Sequence, residues 1–274
     1  MGGTGPYNPR MIDLHHHLLP GIDDGAADLP MALEMARMAV EDGIHTVACT
    51  PHIYPGLYEN TGEGIRAAIA AFQTELNAAG IPLKLVDGAD VHLAPDLIEG
   101  IRTGAVPTLA GSRYLLLEPP HHVAPPNFGQ EVFNFMAAGY IPVITHPERL
   151  TWVEQHYPTF VELSRRGAWM QITGGALTGR YGRRAQHWGE RFVSEGHCMI
   201  LATDAHHPRR RPPLLAEARE AAAKLAGAGE AAHMVTTRPQ GILDNRPPGE
   251  LPPPLAETLP PPKPKRGMFQ RLFG

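Results

Sequence analysis

Ile12-Asp13-Leu14-His15-His16-His17, followed by Leu18-Leu19-Pro20-Gly21-Ile22-Asp23-Asp24-Gly25, sets the pattern for the whole chain: an apolar alternating run that ends in histidines and a turn. The alternation predicts a first β-strand over 12–17. Side chains two apart share a face of a strand. Asp13, His15 and His17 are therefore expected to point one way and His16 the other. A His-x-His pair on one face is a compact two-nitrogen grip for a metal ion. Such a pair alone is more often structural, and its weight here comes from what recurs downstream.

Further apolar runs at 46–50, 83–86, 114–117, 141–145, 169–172 and 199–202 read as strands, with a weaker run at 233–237. Helical spacing fills the intervals near 30–41, 63–79, 95–102, 130–138, 159–166, 184–195 and 214–226. Strands alternating with helices predict an α/β fold with a parallel sheet. About seven such units fit a closed or nearly closed barrel better than an open sheet. In a β/α barrel the active site lies at the carboxyl ends of the strands. Six of the seven predicted strands carry a candidate ligand there: His15 and His17, His52, Asp90, Glu118, His146, and Asp204 with His206. Each alone reads as a capping or satisfied polar residue. Their recurrence at one end of the strands points to a metal site.

Five imidazoles beside several carboxylates suit manganese, iron or zinc, with magnesium kept as an alternative, and are too rich in nitrogen for calcium. Eight candidate ligands exceed the needs of one ion, so two or three divalent ions sharing a carboxylate are expected. Clustered ions activate water at neutral pH and clamp the oxygens of an in-line displacement, the equipment of phosphate-ester hydrolysis. Arg149, three residues beyond His146, and Arg211, in the basic run 209–211, suit an anionic phosphate. At least one arginine of that run reads as plain exposed charge. Asp204 or His206 is the expected acid for the leaving group. Asp23-Asp24-Gly25 reads first as a turn and second as a place from which a carboxylate orients a ligand or a water.

Several classes are excluded. Cysteine-dependent phosphatases need Cys-x5-Arg, but Pro55 and Asp204 stand six residues past Cys49 and Cys198. Both cysteines read as small core residues. With two cysteines and no CxxC, neither a disulfide framework nor a cysteine zinc site is expected. A net charge of -4 gives no general case for nucleic-acid binding. The first ten residues lack a signal-peptide core, and no run is long and apolar enough to span a membrane, so the expected location is cytoplasmic.

Three regions follow: a Gly- and Pro-rich arm at 1–10, a catalytic domain at 11–245, and a tail at 246–274. The tail holds nine prolines and few apolar residues, and reads as disordered. Its end, 263–274, mixes Lys and Arg with Met, Phe and Leu, which suits an acidic membrane surface or a partner as well as it suits a solvated terminus.

The ordered set Ile12-Asp13-Leu14-His15-His16-His17, Pro20-Gly21-Ile22-Asp23-Asp24-Gly25, Thr50-Pro51-His52, Glu118, His146-Pro147-Glu148-Arg149 and Asp204-Ala205-His206 resembles the polymerase and histidinol phosphatase (PHP) superfamily. The second and fifth segments, with Arg211-Pro212-Pro213, resemble its bacterial manganese-dependent protein-tyrosine phosphatases of capsular and exopolysaccharide synthesis. The resemblance covers about 11–245. It implies a distorted (β/α)7 barrel of the PHP type and a three-metal site. The implied ligands are His15, His17, His52, Glu118, His146, Asp204 and His206, with Arg149 and Arg211 as phosphate binders. The implied substrate is phosphotyrosine in the tail of a membrane-associated bacterial tyrosine kinase, met at the inner face of the membrane. Asp90 departs from the pattern, which usually has Glu after Gly-Ala, and its shorter side chain puts the metal spacing in question. Two alternatives stay open: the same fold acting on a small phosphomonoester such as histidinol phosphate, and a weakly catalytic regulator that docks through 246–274.

Overall fold

The computed structural model describes residues 10–258. Most of the N-terminal arm and the basic, apolar end 263–274 lie outside the described residues. Nine strands are present among them: β1 Met11–His16, β2 Ile44–Cys49, β3 His52–Ile53, β4 Lys84–Asp87, β5 Asp90–His92, β6 Tyr114–Glu118, β7 Ile141–Thr145, β8 Trp169–Thr173 and β9 Ile200–Ala202. All their pairings are parallel. One sheet has the order β1-β2-β4, the other β3-β5-β6-β7-β8-β9.

The two sheets are continuous in chain direction. β2 runs into β3 across Thr50-Pro51, and β4 runs into β5 across Gly88-Ala89. Pro51 has no N–H to give a ladder. At Gly88 a β-carbon would lie 3.0 Å from both the Leu109 and Thr50 side chains, a tight fit that glycine avoids. At the far edge His16 bridges Ala205 in parallel, the His17 N–H donates to the Ala205 carbonyl at 3.0 Å, and the Asp204 N–H donates to that of His15 at 2.8 Å. Pairing thus runs in a circuit of seven strand directions, in keeping with the distorted barrel that the sequence suggests.

Local chemistry explains the flanking helices. The helix Leu29–Glu41 starts where the Asp28 carboxylate accepts the Met31 N–H at 2.9 Å and Pro30 occupies the first turn. It buries Ala32, Met35, Ala36 and Ala39. The helix Gly62–Ala78 is capped by Thr61 and buries Ile65, Phe72 and Leu76. The helix Val153–Arg165 begins earlier than the sequence predicts, because burial of Val153 and Tyr157 carries it across Pro158. The weak run at 233–237 is helical, a π-turn between two short helices. Successive strand residues alternate between two apolar clusters: Leu115, Leu117, Ile144, Met170 and Leu201 in one, Leu116, Val143, Trp169 and Ile200 in the other.

The packed chain continues past residue 245, which corrects the boundary expected for the tail. Leu251 is buried, and the Ala256 N–H donates to the Gly196 carbonyl at 3.2 Å. The Arg238 guanidinium, fully buried, bonds Glu230 at 2.8 and 3.0 Å and the carbonyls of Pro252 and Pro253 at 3.1 and 2.7 Å. Proline lacks a donor but keeps its carbonyl, so a Pro-rich segment is a suitable set of acceptors for a buried cation.

Candidate active site

β1 delivers two imidazoles to one point. The Nε2 atoms of His15 and His17 stand 3.2 Å apart. Their other nitrogens are engaged: His15 Nδ1 with Gln171 Oε1 at 2.9 Å, His17 Nδ1 with Asp23 Oδ2 at 2.7 Å. A second partner of this kind fixes ring orientation and leaves the free nitrogen for a ligand. Asp23 also accepts the N–H groups of Gly25 at 2.9 Å and His52 at 3.1 Å. Asp23 therefore both builds the turn and orients a histidine. The turn needs Gly25, where a β-carbon would stand 2.2 Å from the His17 carbonyl oxygen.

Sheet register brings the next residues together. His52 pairs with Asp90 across β3 and β5, and His92 with Glu118 across β5 and β6. Asp90 Oδ2 lies 3.3 Å from His15 Nε2, 3.6 Å from His52 Nδ1 and 4.0 Å from His146 Nε2. The shorter side chain thus reaches three imidazoles. Glu118 faces His146 at 3.6 Å and His121 at 3.3 Å through Oε1, and His52 at 3.5 Å through Oε2. Asp204 Oδ1 faces His15 at 3.3 Å, His17 at 3.5 Å and His206 at 3.5 Å. Asp13 ties β1 to this loop through the Thr203 N–H at 3.0 Å and the Thr203 hydroxyl. His146 (φ 34°) and Asp204 (φ 51°) hold left-handed backbone, a conformation that His and Asp adopt more readily than most side chains.

All eight donors expected from sequence meet here. With two others they form five overlapping groups whose ligand atoms lie within 4.8 Å of one another: His17, Asp24, His52 and His206; His15, Asp90 and His146; His15, His17 and Asp204; Glu118, His121 and His146; His52, Asp90 and Glu118. Asp24 and His121 are the additions. Asp24 sits 3.3 Å from His206 Nε2. Both lie in loops, where no periodicity marks a side chain's direction. His16 joins none of these groups, as the strand alternation implies.

The donor set fits divalent ions. His52 Nδ1, both Asp90 oxygens and His206 Nε2 are buried without a hydrogen-bond partner among the described residues. Each such group costs about 1–3 kcal/mol, a cost that cations among them would remove. Imidazole nitrogen with carboxylate oxygen suits manganese, iron or zinc.

Beside this cluster lies a cationic pair. Arg149 and Arg211 both donate to Asp204 Oδ2, Arg211 Nε donates to the Tyr181 hydroxyl at 3.1 Å, and the Arg149 guanidinium lies 4.6 Å over the Tyr181 ring. Arg209 and Arg210 are exposed, the plain charge run expected. Burial alone would raise the Asp204 pKa, but Arg211, His15 and Arg149 hold it well below the usual carboxylate range. Burial and the charge of His17 push His206 down to about 4. His17 goes the other way: burial would lower it, but Asp23 and Asp204 raise it to about 10. Cys49 and Cys198 are buried, with their thiol pKa values pushed up by burial, as expected of core residues.

Comparison with known proteins adds to this geometry. The family model for capsular polysaccharide synthesis, CpsB/CapC, matches residues 11–244. The chain is 33% identical over 236 residues to the tyrosine-protein phosphatase YwqE of Bacillus subtilis, covering 86% of this chain and 92% of that protein. It is 26% identical over 238 residues to the tyrosine-protein phosphatase CpsB of Streptococcus pneumoniae, covering 85% and 98%. A solved structure from work on YwqE and CpsB, described as unique metal-dependent tyrosine phosphatases, superimposes with a TM-score of 0.83 at 32% identity, over 86% of this chain and 96% of that one.

Proposed function

The chain belongs to the CpsB/CapC family of capsular polysaccharide synthesis, and we propose that it is a metal-dependent protein-tyrosine phosphatase acting on the phosphotyrosine tail of a membrane-associated bacterial tyrosine kinase. One observation carries this reading: a convergent imidazole–carboxylate cluster and two guanidinium groups share a single residue, Asp204. A cation site and an anion site that touch are the two halves of a metallophosphatase.

His15, His17, His52, Asp90, Glu118, His146, Asp204 and His206 would hold two or three divalent ions, manganese foremost, with Asp24 and His121 as further donors. Bound ions supply Lewis acidity toward the phosphoryl oxygens and activate water at neutral pH. Gln171 and Asp23 fix the rings of His15 and His17. Arg149 and Arg211 take the phosphate by charge-assisted bonds. A phenol has a pKa of about 10, so its oxygen departs far more readily than an alkoxide.

The rim favours an aromatic substrate. Tyr54 stacks on His92 with ring centroids 3.9 Å apart, and Tyr58 on His52 at 5.5 Å. Both tyrosines belong to one tight loop, joined by backbone hydrogen bonds of 3.0 and 2.8 Å. No helix among the described residues is long and apolar enough to cross a membrane. A cytoplasmic enzyme that meets its kinase at the inner face of the membrane, with 263–274 as a peripheral contact, accords with that.

The test compares phosphate release from phosphotyrosyl peptide, phosphoseryl peptide and histidinol phosphate with manganese present. The phosphotyrosyl peptide should be hydrolysed fastest. A preference for histidinol phosphate would replace this reading with that of a small-phosphomonoester phosphatase.

A further inference from the structure

Two guanidinium groups that share one carboxylate oxygen repel each other, and a phosphate that draws them away must still find them aimed into the site. We propose that Tyr181 is the positioning residue of this cradle, holding Arg149 by its ring face and Arg211 by its hydroxyl. The inference rests on the phosphatase reading and names a residue that none of the five donor groups contains.

The geometry gives each arginine its own contact. The Arg149 guanidinium sits 4.6 Å above the ring centroid, within the range of a cation–π interaction. Arg211 Nε donates to the phenol oxygen at 3.1 Å, while its centre lies 6.0 Å from the centroid, at the limit of the ring's reach. Both arginines donate to the same Asp204 oxygen through their terminal nitrogens. Tyr181 therefore engages Arg149 over its face and Arg211 away from its donating end, and leaves their Nη groups free to exchange Asp204 for a phosphate oxygen.

The ring's own place is set by glycine. A β-carbon at Gly175 would stand 2.9 Å from Tyr181 Cε2 and 3.4 Å from Cδ2. Gly175, in the short helix Gly174–Leu177 after β8, thus makes the bed on which the ring lies. Tyr181 precedes the helix Gly182–Ser194, whose Ala185, Trp188, Phe192 and Val193 are buried. The ring is thereby anchored to an element that is itself fixed.

The two contacts are separable. Tyr181→Phe keeps the face under Arg149 and removes the hydroxyl from Arg211. Tyr181→Leu removes both. Gly175→Ala leaves Tyr181 in place chemically but forces its ring to shift. The manganese-loaded full chain is titrated with inorganic phosphate by calorimetry, alongside KM and kcat for an aryl phosphate, melting temperature and bound-metal content. Tyr181→Leu should weaken phosphate binding and raise KM about tenfold or more, and Tyr181→Phe by roughly threefold. Gly175→Ala should fall between Tyr181→Leu and wild type. Metal content should stay at the wild-type value in all three. In an Arg211→Lys background, which removes the Nε donor, Tyr181→Phe should add nothing.

Wild-type phosphate affinity in Tyr181→Leu would overturn the proposal. So would a loss that tracks a fall in bound metal, since Tyr181 would then only support the metal cluster. Failure of the phosphatase reading is a separate result: wild-type protein would hydrolyse no aryl phosphate, while phosphate binding by the variants would still decide on Tyr181.

Discussion

Asp204 is where the site's two chemistries meet. One oxygen faces three imidazoles and the other takes both arginines. Asp204→Asn keeps the shape but removes the charge that both sides need. Phosphate release should fall by about a hundredfold or more, and a measured loss under tenfold would remove Asp204 from the centre of the site. Asp23 acts one step further out, through the 2.7 Å bond to His17. Asp23→Asn should weaken metal affinity by about 10–100-fold, read by metal titration. Unchanged affinity would reduce Asp23 to a turn residue. At this scale the sequence was most informative where a donor ends a strand. His15, His17, His52, Asp90, Glu118 and His146 were legible because strand ends share one face of a β/α fold. Asp24, His121 and Tyr181 lie in loops, so their direction depends on contacts that no spacing reveals.

Among elements, the turn after β1 is the most demanding. Gly25 admits no side chain, because a β-carbon would also stand 2.5 Å from that of His17. Gly25→Ala should cost about 1–3 kcal/mol of stability and displace Asp23 from His17. A thermal melt with metal titration checks both. A variant with wild-type melting and wild-type metal affinity would show that the turn has room to relax. Strand positions were read within a residue or two from apolar runs, since a buried strand needs an uninterrupted apolar face. β3 and β5 escaped that reading. Each is two or three residues long and holds a single apolar residue, Ile53 or Val91, so it carries little apolar signal. The helix Val153–Arg165 extends well before the 159–166 that spacing predicts, because tertiary packing carries it over Pro158.

Across the whole molecule, one buried cation docks the segment around Pro252 and Pro253 onto the fold. Arg238 depends on the carbonyls of Pro252 and Pro253 and on Glu230. Ending the chain at residue 245 would strip two acceptors from a buried guanidinium and remove the buried Leu251. The expected loss is on the order of 3 kcal/mol, a fall of several degrees in melting temperature. An unchanged melt would make the docked segment dispensable. Composition could not foretell this docking. A Pro-rich run lacks side chains to fill a core, but its carbonyls remain acceptors, and only the fold brings Arg238 to them. The most direct measurement is phosphate release from a phosphotyrosyl peptide by the full chain stripped of metal, then supplied with manganese, then treated with a chelator. The site described here predicts turnover that appears with manganese, disappears with the chelator and is absent from His15→Ala throughout. Turnover undiminished by the chelator, or full activity in His15→Ala, would contradict a metal-dependent phosphatase built on this cluster.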